Sequence, residues 1–309
     1  MAVITAKDVA ALRAKTGIGM MECKKALVEA DGDMDAAVKI LREKGELKAQ
    51  SKIANRIAAD GIVDIMKENG VTAMIEVNSE TDFVAKNDMF KSFVKDLLKT
   101  IIQTKPADVE ALMAAPYVDG SCTVEEKLKE QIFKIGEKLS IRRFAVVEGE
   151  TSTYIHGMGA IGVIVKFDTD VADKEGFAEF AKNIALQVGA YSTPYVTREE
   201  VPASVLDSEK SILKAQIEND PAMAKKPDAI KEKMVEGRLG KFYENNCLLD
   251  MAYVKEDDMK VGKYVEKTAK ELGGKITIAA IYRFEKGEGI QKKEEDFAAE
   301  IEKLAGGNK

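Results

Sequence analysis

The sequence predicts an α+β protein: a short all-helical N-terminal module, two related sheet-plus-helix subdomains, a helical hairpin inserted in the second, and a short C-terminal helix. Three observations predict it. The first 45 residues carry helical spacing and no strand-like run. Asn69-Gly70 then joins two apolar, β-branched segments, a strong hairpin signal because both turn residues tolerate positive φ. Finally, the strand-then-helix texture that follows the hairpin returns about 88 residues further on, as expected of an internal duplication.

Thr5-Ala-Lys-Asp8 reads as a capping box, followed by Val9 and Leu12 at helical spacing, and Gly17 stops that helix. A second helix spans 20–29, with Met20, Cys23 and Leu27 spaced for one face. Gly32 ends it, Asp33 caps a third helix with Val38 and Leu41 inward, and Gly45 is the expected C-terminal cap. The basic stretch 46–60 reads as a separate linker helix.

Strands are expected over 61–66 and 71–77, then a polar loop over 78–88, then a helix with the stripe Phe90, Phe93, Val94, Leu97, Leu98 and Ile101. In the second copy, 161–167 is the strand, Asp168-Thr-Asp170 stands where Ser79-Glu-Thr-Asp82 stood, and Phe177, Phe180, Ala181, Ile184 and Val188 repeat the stripe. Between the copies, Thr123-Val-Glu-Glu126 opens a helix with Leu128, Ile132, Ile135 and Leu139, leading into a strand over 141–147. From 203 to 246 the chain is charged and helical. Ile212 and Ile217 mark one helix; Ile230, Met234, Val235, Leu239 and Phe242 mark another; Pro221 and Pro227 fall between them, so an antiparallel hairpin fits. A helix over 261–272, a strand over 276–284 and a tail helix over 294–304 complete the chain. The expected domains are therefore 1–54, 55–148, 149–284 with the hairpin at about 203–246, and 285–309.

Composition narrows the function. The chain has 309 residues and a net charge of −6, too mild and of the wrong sign for broad electrostatic binding of nucleic acid. It has three cysteines without a Cys-x-x-Cys pair and one histidine, which disfavours a disulfide framework, a structural zinc site and a histidine-rich metal centre. No targeting segment and no run of about 18 apolar residues occurs, so a soluble cytoplasmic protein without a membrane partner is expected.

Few segments invite chemistry. Gly157-Met-Gly159-Ala-Ile-Gly162 matches a dinucleotide fingerprint by letter, but a strand rather than a helix follows it, so it reads as a glycine-rich turn. His156 lies at the expected hairpin tip with no nucleophile or orienting acid nearby in sequence; it is a surface or packed residue, or a partner contact. Met20 and Met21 are adjacent and cannot both face one small core, so at least one is expected to be exposed; the pair serves either as a contact surface or in packing within the module. Phe83 and Val84 are apolar residues in a polar loop, either tucked beneath it or held out for a partner. The second copy lacks that phenylalanine, which favours a functional role.

Five motifs, ordered from end to end, resemble the elongation factor Ts family. They are Leu12-Arg-Ala-Lys-Thr-Gly-Ile-Gly-Met-Met-Glu-Cys-Lys-Lys-Ala-Leu27 with Ala30-Asp-Gly-Asp33; Glu76-Val-Asn-Ser-Glu-Thr-Asp-Phe-Val-Ala-Lys86; Lys138-Leu-Ser-Ile-Arg-Arg143; Lys233-Met-Val-Glu-Gly-Arg238; and Arg283-Phe-Glu-Lys-Gly-Glu-Gly289. The resemblance implies a UBA-like N-terminal module and a guanine-nucleotide exchange factor that binds elongation factor Tu, GDP-bound and nucleotide-free, and carries out no covalent chemistry. It implies that Thr81, Asp82, Phe83 and Val84 enter the partner and displace its Mg2+, and that Arg13, Met20, Met21 and His156 make further contacts. It calls for no cofactor, no catalytic residue and no bound metal in this chain, and leaves open a homodimer through the hairpin. A peptide-binding adaptor would leave the duplicated core without a role, and an αβ enzyme would lack acid/base residues.

Overall fold

Thr5 and Asp8 start the chain's first helix by capping each other: Asp8 accepts from the Thr5 backbone N–H at 2.9 Å and from its hydroxyl at 2.7 Å, and the Asp8 N–H donates back to Thr5 Oγ1 at 3.3 Å. The computed structural model describes residues 4–16, 18–223 and 225–291, and only the backbone of 45–55. The chain divides into two compact units: the described residues of Met1–Met66, Ile75–Phe144 and Glu285–Lys309, and those of Lys67–Met74 and Ala145–Phe284.

In the first unit, α1 (Ala6–Thr16), α2 (Met20–Glu29) and α3 (Met34–Asn55) surround a small core of Val9, Leu12, Ile18, Cys23, Ala26, Leu27, Ala37 and Leu41. Asp33 caps α3 through bonds from Asp35 N and Ala36 N. Two expectations fail here. Met20 does not face inward: it sits at the first position of α2, and Ile18, just before the helix, fills the place beside Cys23, Ala26 and Leu27. Gly45 does not end α3. The helix runs on to Asn55 without a separate linker helix, as a single interior glycine costs a helix only about 1 kcal/mol. Phe133 of the following subdomain packs against this core, so the module is not an isolated body.

Strands β1 (Asp60–Glu68) and β2 (Val71–Ser79) are joined by Asn69 and Gly70, both at positive φ. Next come α4 (Asp82–Lys86), α5 (Asp88–Thr104), α6 (Val109–Ala114), α7 (Val124–Ile135) and β3 (Leu139–Glu148), with sheet order β1-β2-β3. α5 buries the whole expected stripe. Thr123 and Glu126 form the capping box of α7, but Leu139 belongs to β3 rather than to that helix. The expected loop over 78–88 is shorter than its polarity suggests. Asn78 and Ser79 are buried strand residues, and 82–86 is a helical turn.

Glu76, fully buried on β2, is the polar centre of this unit. It accepts from Arg142 Nη1 at 2.9 Å, Arg143 Nε at 2.6 Å, Asn78 Nδ2 at 3.1 Å and the Gly287 N–H at 2.8 Å. Three motifs far apart in sequence, around Glu76, Arg142 and Gly287, therefore meet at one carboxylate. Burial alone would raise that carboxyl, but the Gly287 N–H together with Arg142, Asn78 and Arg143 outweighs it and holds the group below the usual Glu range.

The second unit repeats the strand-strand-helix plan. β4 (Glu150–His156) pairs antiparallel with β5 (Ile161–Thr169), α8 (Phe177–Ala190) packs on both, and α9 (Ala203–Asn219) and α10 (Asp228–Asn246) form the hairpin. The short ribbon β6 (Ala252–Tyr253) and β7 (Glu256–Lys260), α11 (Val261–Leu272) and β8 (Ile276–Glu285) close the unit, with sheet order β4-β5-β8. Its core holds Val163, Val165, Phe167, Phe177, Phe180, Ile184, Val188, Val265 and Ile276. On the hairpin, the buried residues are Leu213, Ile217 and Leu239, whereas Ile212 and Ile230 are exposed. Residues five apart lie about 140° round a helix, so Ile212 cannot share the face of Ile217. The glycine-rich segment at 157–162 is the β4–β5 turn, as its sequence context indicates. The tail expected to be helical over 294–304 lies outside the described residues. No helix among the described residues is long and apolar enough to cross a membrane.

Candidate functional site

The segment after β2 combines a fixed root with a free tip. At the root, Glu80 accepts from the Lys138 N–H at 2.5 Å and from Arg56 Nη1 at 3.0 Å. Thr81 donates its N–H to Glu137 Oε2 at 3.1 Å and its hydroxyl to Glu137 Oε1 at 2.8 Å. Ser79 Oγ donates to the Thr81 carbonyl at 2.9 Å. The Thr81 hydroxyl is thus spent on α7's C-terminal loop and does not cap α4.

From this root α4 makes a single turn, and its side chains part. Val84 is buried at 7% exposure and Phe83 is 79% exposed. A phenylalanine so exposed forgoes about 1.5–3 kcal/mol of burial in the free protein, a gain that a partner can supply. Asp82 pairs with Lys86 one helical turn on at 2.5 Å, and the Lys86 ammonium lies 5.9 Å from the Phe83 ring centroid. The bond from Lys86 holds the Asp82 carboxyl below the usual carboxylate range. Asn87 closes α4 and caps α5 by accepting from the Met89 N–H at 2.8 Å. The duplicated site differs: Val171 is buried, and Asp170 accepts from the Lys275 N–H at 2.7 Å, so that corner is tied inward.

The other expected contact residues fall elsewhere. Arg13 is exposed on α1. Met20 and Met21 are exposed side by side at the start of α2, at 54% and 67%. Flexible, polarisable methionines on a surface suit an adaptable contact. In the second unit, His156 is exposed at the end of β4, its Nδ1 2.8 Å from the Tyr154 hydroxyl, with the fully turned-out Met158 just beyond. Sequence reasoning missed Glu137 and Lys86. The i,i+4 spacing of Asp82 and Lys86 was a usable signal. Nothing marked Glu137, which lies 56 residues from Thr81.

Among the described residues no group of three His, Cys, Asp or Glu is placed to hold a metal ion. The comparisons with known proteins agree with one another. The family model described as Elongation factor TS matches residues 80–288. The chain is 44% identical over 301 residues to a protein named Elongation factor Ts from Syntrophotalea carbinolica, covering 96% of this chain and 98% of the relative. It is 47% identical over 307 residues to the protein of that name from Clostridioides difficile, covering 98% and 99%. It is 46% identical over 306 residues to that from Clostridium kluyveri, covering 97% and 98%.

Proposed function

This chain belongs to the elongation factor Ts family, and on that premise we propose that it is the guanine-nucleotide exchange factor of translation elongation that acts on elongation factor Tu. It binds elongation factor Tu both with and without GDP, disturbs the Mg2+/phosphate site and promotes GDP release. The observation that carries this reading is Phe83: an apolar ring 79% exposed on a turn whose root is bonded to Glu137 and Lys138. A side chain left in water on a rigid mount is built for insertion elsewhere.

The exchange needs no covalent step. Nucleotide and factor weaken each other's binding by the same factor, because linkage is reciprocal. One buried Phe contributes about 1.5–3 kcal/mol, whereas moving a two-state equilibrium from 1:99 to 99:1 takes about 5.5 kcal/mol. Phe83 therefore acts with other contacts, and Arg13, Met20, Met21 and His156 are assigned that part. Mg2+ neutralises the nucleotide's phosphate oxygens, so displacing it loosens GDP. Phe83 wedges apart the surface around that ion, while Asp82 perturbs the ion's surroundings once freed from Lys86. Thr81 and Val84 act from within, Thr81 by anchoring the turn and Val84 by packing beneath it.

The test is release of fluorescent GDP from purified elongation factor Tu. Catalytic amounts of the chain should accelerate release in proportion to its concentration. Tight binding of the two proteins with no change in release rate would refute the reading.

A further inference from the structure

His156 is the one histidine in the chain, and the structure fixes it unusually well for an exposed residue. Tyr154 and His156 lie two apart on β4, opposite Val163 and Ile161 of β5, so their side chains share one face of the sheet. The Tyr154 ring packs against the core of the second unit. It lies over Gly189 of α8, where an added Cβ would come within 2.9 Å of Cδ1 and 3.0 Å of Cε1. A glycine inside a helix costs about 1 kcal/mol relative to alanine, and here it makes the slot that holds the ring. Beyond His156 the turn is also set: Gly157, Met158 and Gly159 have φ of 59°, 56° and 95°, and Ala160 N–H donates to the His156 carbonyl at 2.9 Å. The Tyr154 hydroxyl meets Nδ1 at 2.8 Å with the ring centroids 6.0 Å apart.

We propose that Tyr154 is a positioning residue for His156, fixing the neutral imidazole as the Nε2–H tautomer so that it presents one N–H donor to an oxygen acceptor on the protein partner. A phenol is a ready donor, and a neutral imidazole that accepts at Nδ1 carries its proton on Nε2. An untethered surface histidine would lose side-chain freedom on binding; here that loss is taken during folding, which favours the complex. The assignment rests on the reading of His156 as a partner contact.

Because the chain has a single imidazole, its ring nitrogens give unambiguous NMR signals. In the full 15N-labelled chain, with the imidazole neutral, Nδ1 should appear as the acceptor nitrogen and Nε2 as the protonated one. Tyr154→Phe should move both signals toward those of a free imidazole while leaving the thermal melt unchanged. The same variant should slow stimulated GDP release by roughly three- to tenfold, one hydrogen bond's worth. In a His156→Ala background it should add nothing. Imidazole signals that do not respond to Tyr154→Phe overturn the positioning role whatever the exchange data show. Full additivity with His156→Ala overturns it as well. A wild-type chain that leaves GDP release unaltered instead removes the exchange-factor reading, and the NMR signals still decide how the ring is held.

Discussion

Phe83 and Val84 are adjacent in the chain and sit in opposite environments, one 79% exposed and the other 7%. Their substitutions should separate accordingly. Val84→Ala removes two buried methyl groups and should cost about 1–2 kcal/mol of stability. Phe83→Ala should stay within about 0.5 kcal/mol of the parent, as exposed substitutions do. Chemical denaturation of the two variants beside the parent checks this; equal losses would mean that Phe83 is part of the core.

Glu137 should matter to the turn more than to the fold. Its carboxylate takes both donors of Thr81, so Glu137→Ala should speed amide hydrogen exchange at Thr81 by roughly tenfold, the worth of one lost hydrogen bond. Amides in α5 should be unaffected. Residue-resolved hydrogen exchange makes the comparison, and uniform acceleration across the unit would contradict it.

Lys86 restrains Asp82 in the free protein. Lys86→Gln should raise the Asp82 carboxyl toward its ordinary value, since the bond from Lys86 is the leading cause of its depression. The melting temperature should not change, because the pair lies in water. An NMR titration of the Asp82 side chain reads this directly; a pKa that stays low in the variant would assign the depression to another group.

Glu76 carries a pH dependence. Its folded pKa is lowered, so its contribution is fully present above the unfolded value of about 4.3 and is lost as pH falls through the folded value. Glu76→Gln should cost about 3 kcal/mol at pH 7, the low end for breaking a buried pair, because Arg142 and Arg143 keep some contact with water. The difference from the parent should shrink toward pH 3. A constant difference across that range would show that packing, not charge, is what Gln disrupts.

Much of this fold can be read from local signals. The limits of α2 and α11 follow from spacing and flanking residues, and the Asn69-Gly70 turn and the Thr123–Glu126 cap are local chemistry. Errors arise where tertiary contacts decide. Gly45 looks like a stop, but α3 continues through it. Ile212 looks buried by composition, but Leu213 holds the inward position. The Glu76 cluster is invisible locally, since its partners lie 66, 67 and 211 residues away. At the site, the odd placement of Phe83 among polar residues was legible, and its absence from the second copy pointed to a role outside the core; what local sequence did not separate was Phe83 from Val84, and the structure turns the ring outward and Val84 inward. Glu137, which anchors the turn, left no mark in the sequence.

The most direct test of the account is the rate of GDP release from elongation factor Tu, at matched Mg2+ and factor concentration, with the parent chain and with Phe83→Ala. Loss of a wedge worth about 1.5–3 kcal/mol should slow stimulated release by roughly ten- to a hundredfold, with the melting temperature of the variant unchanged. A Phe83→Ala chain that melts like the parent and releases GDP at the parent's rate would contradict the account at its centre.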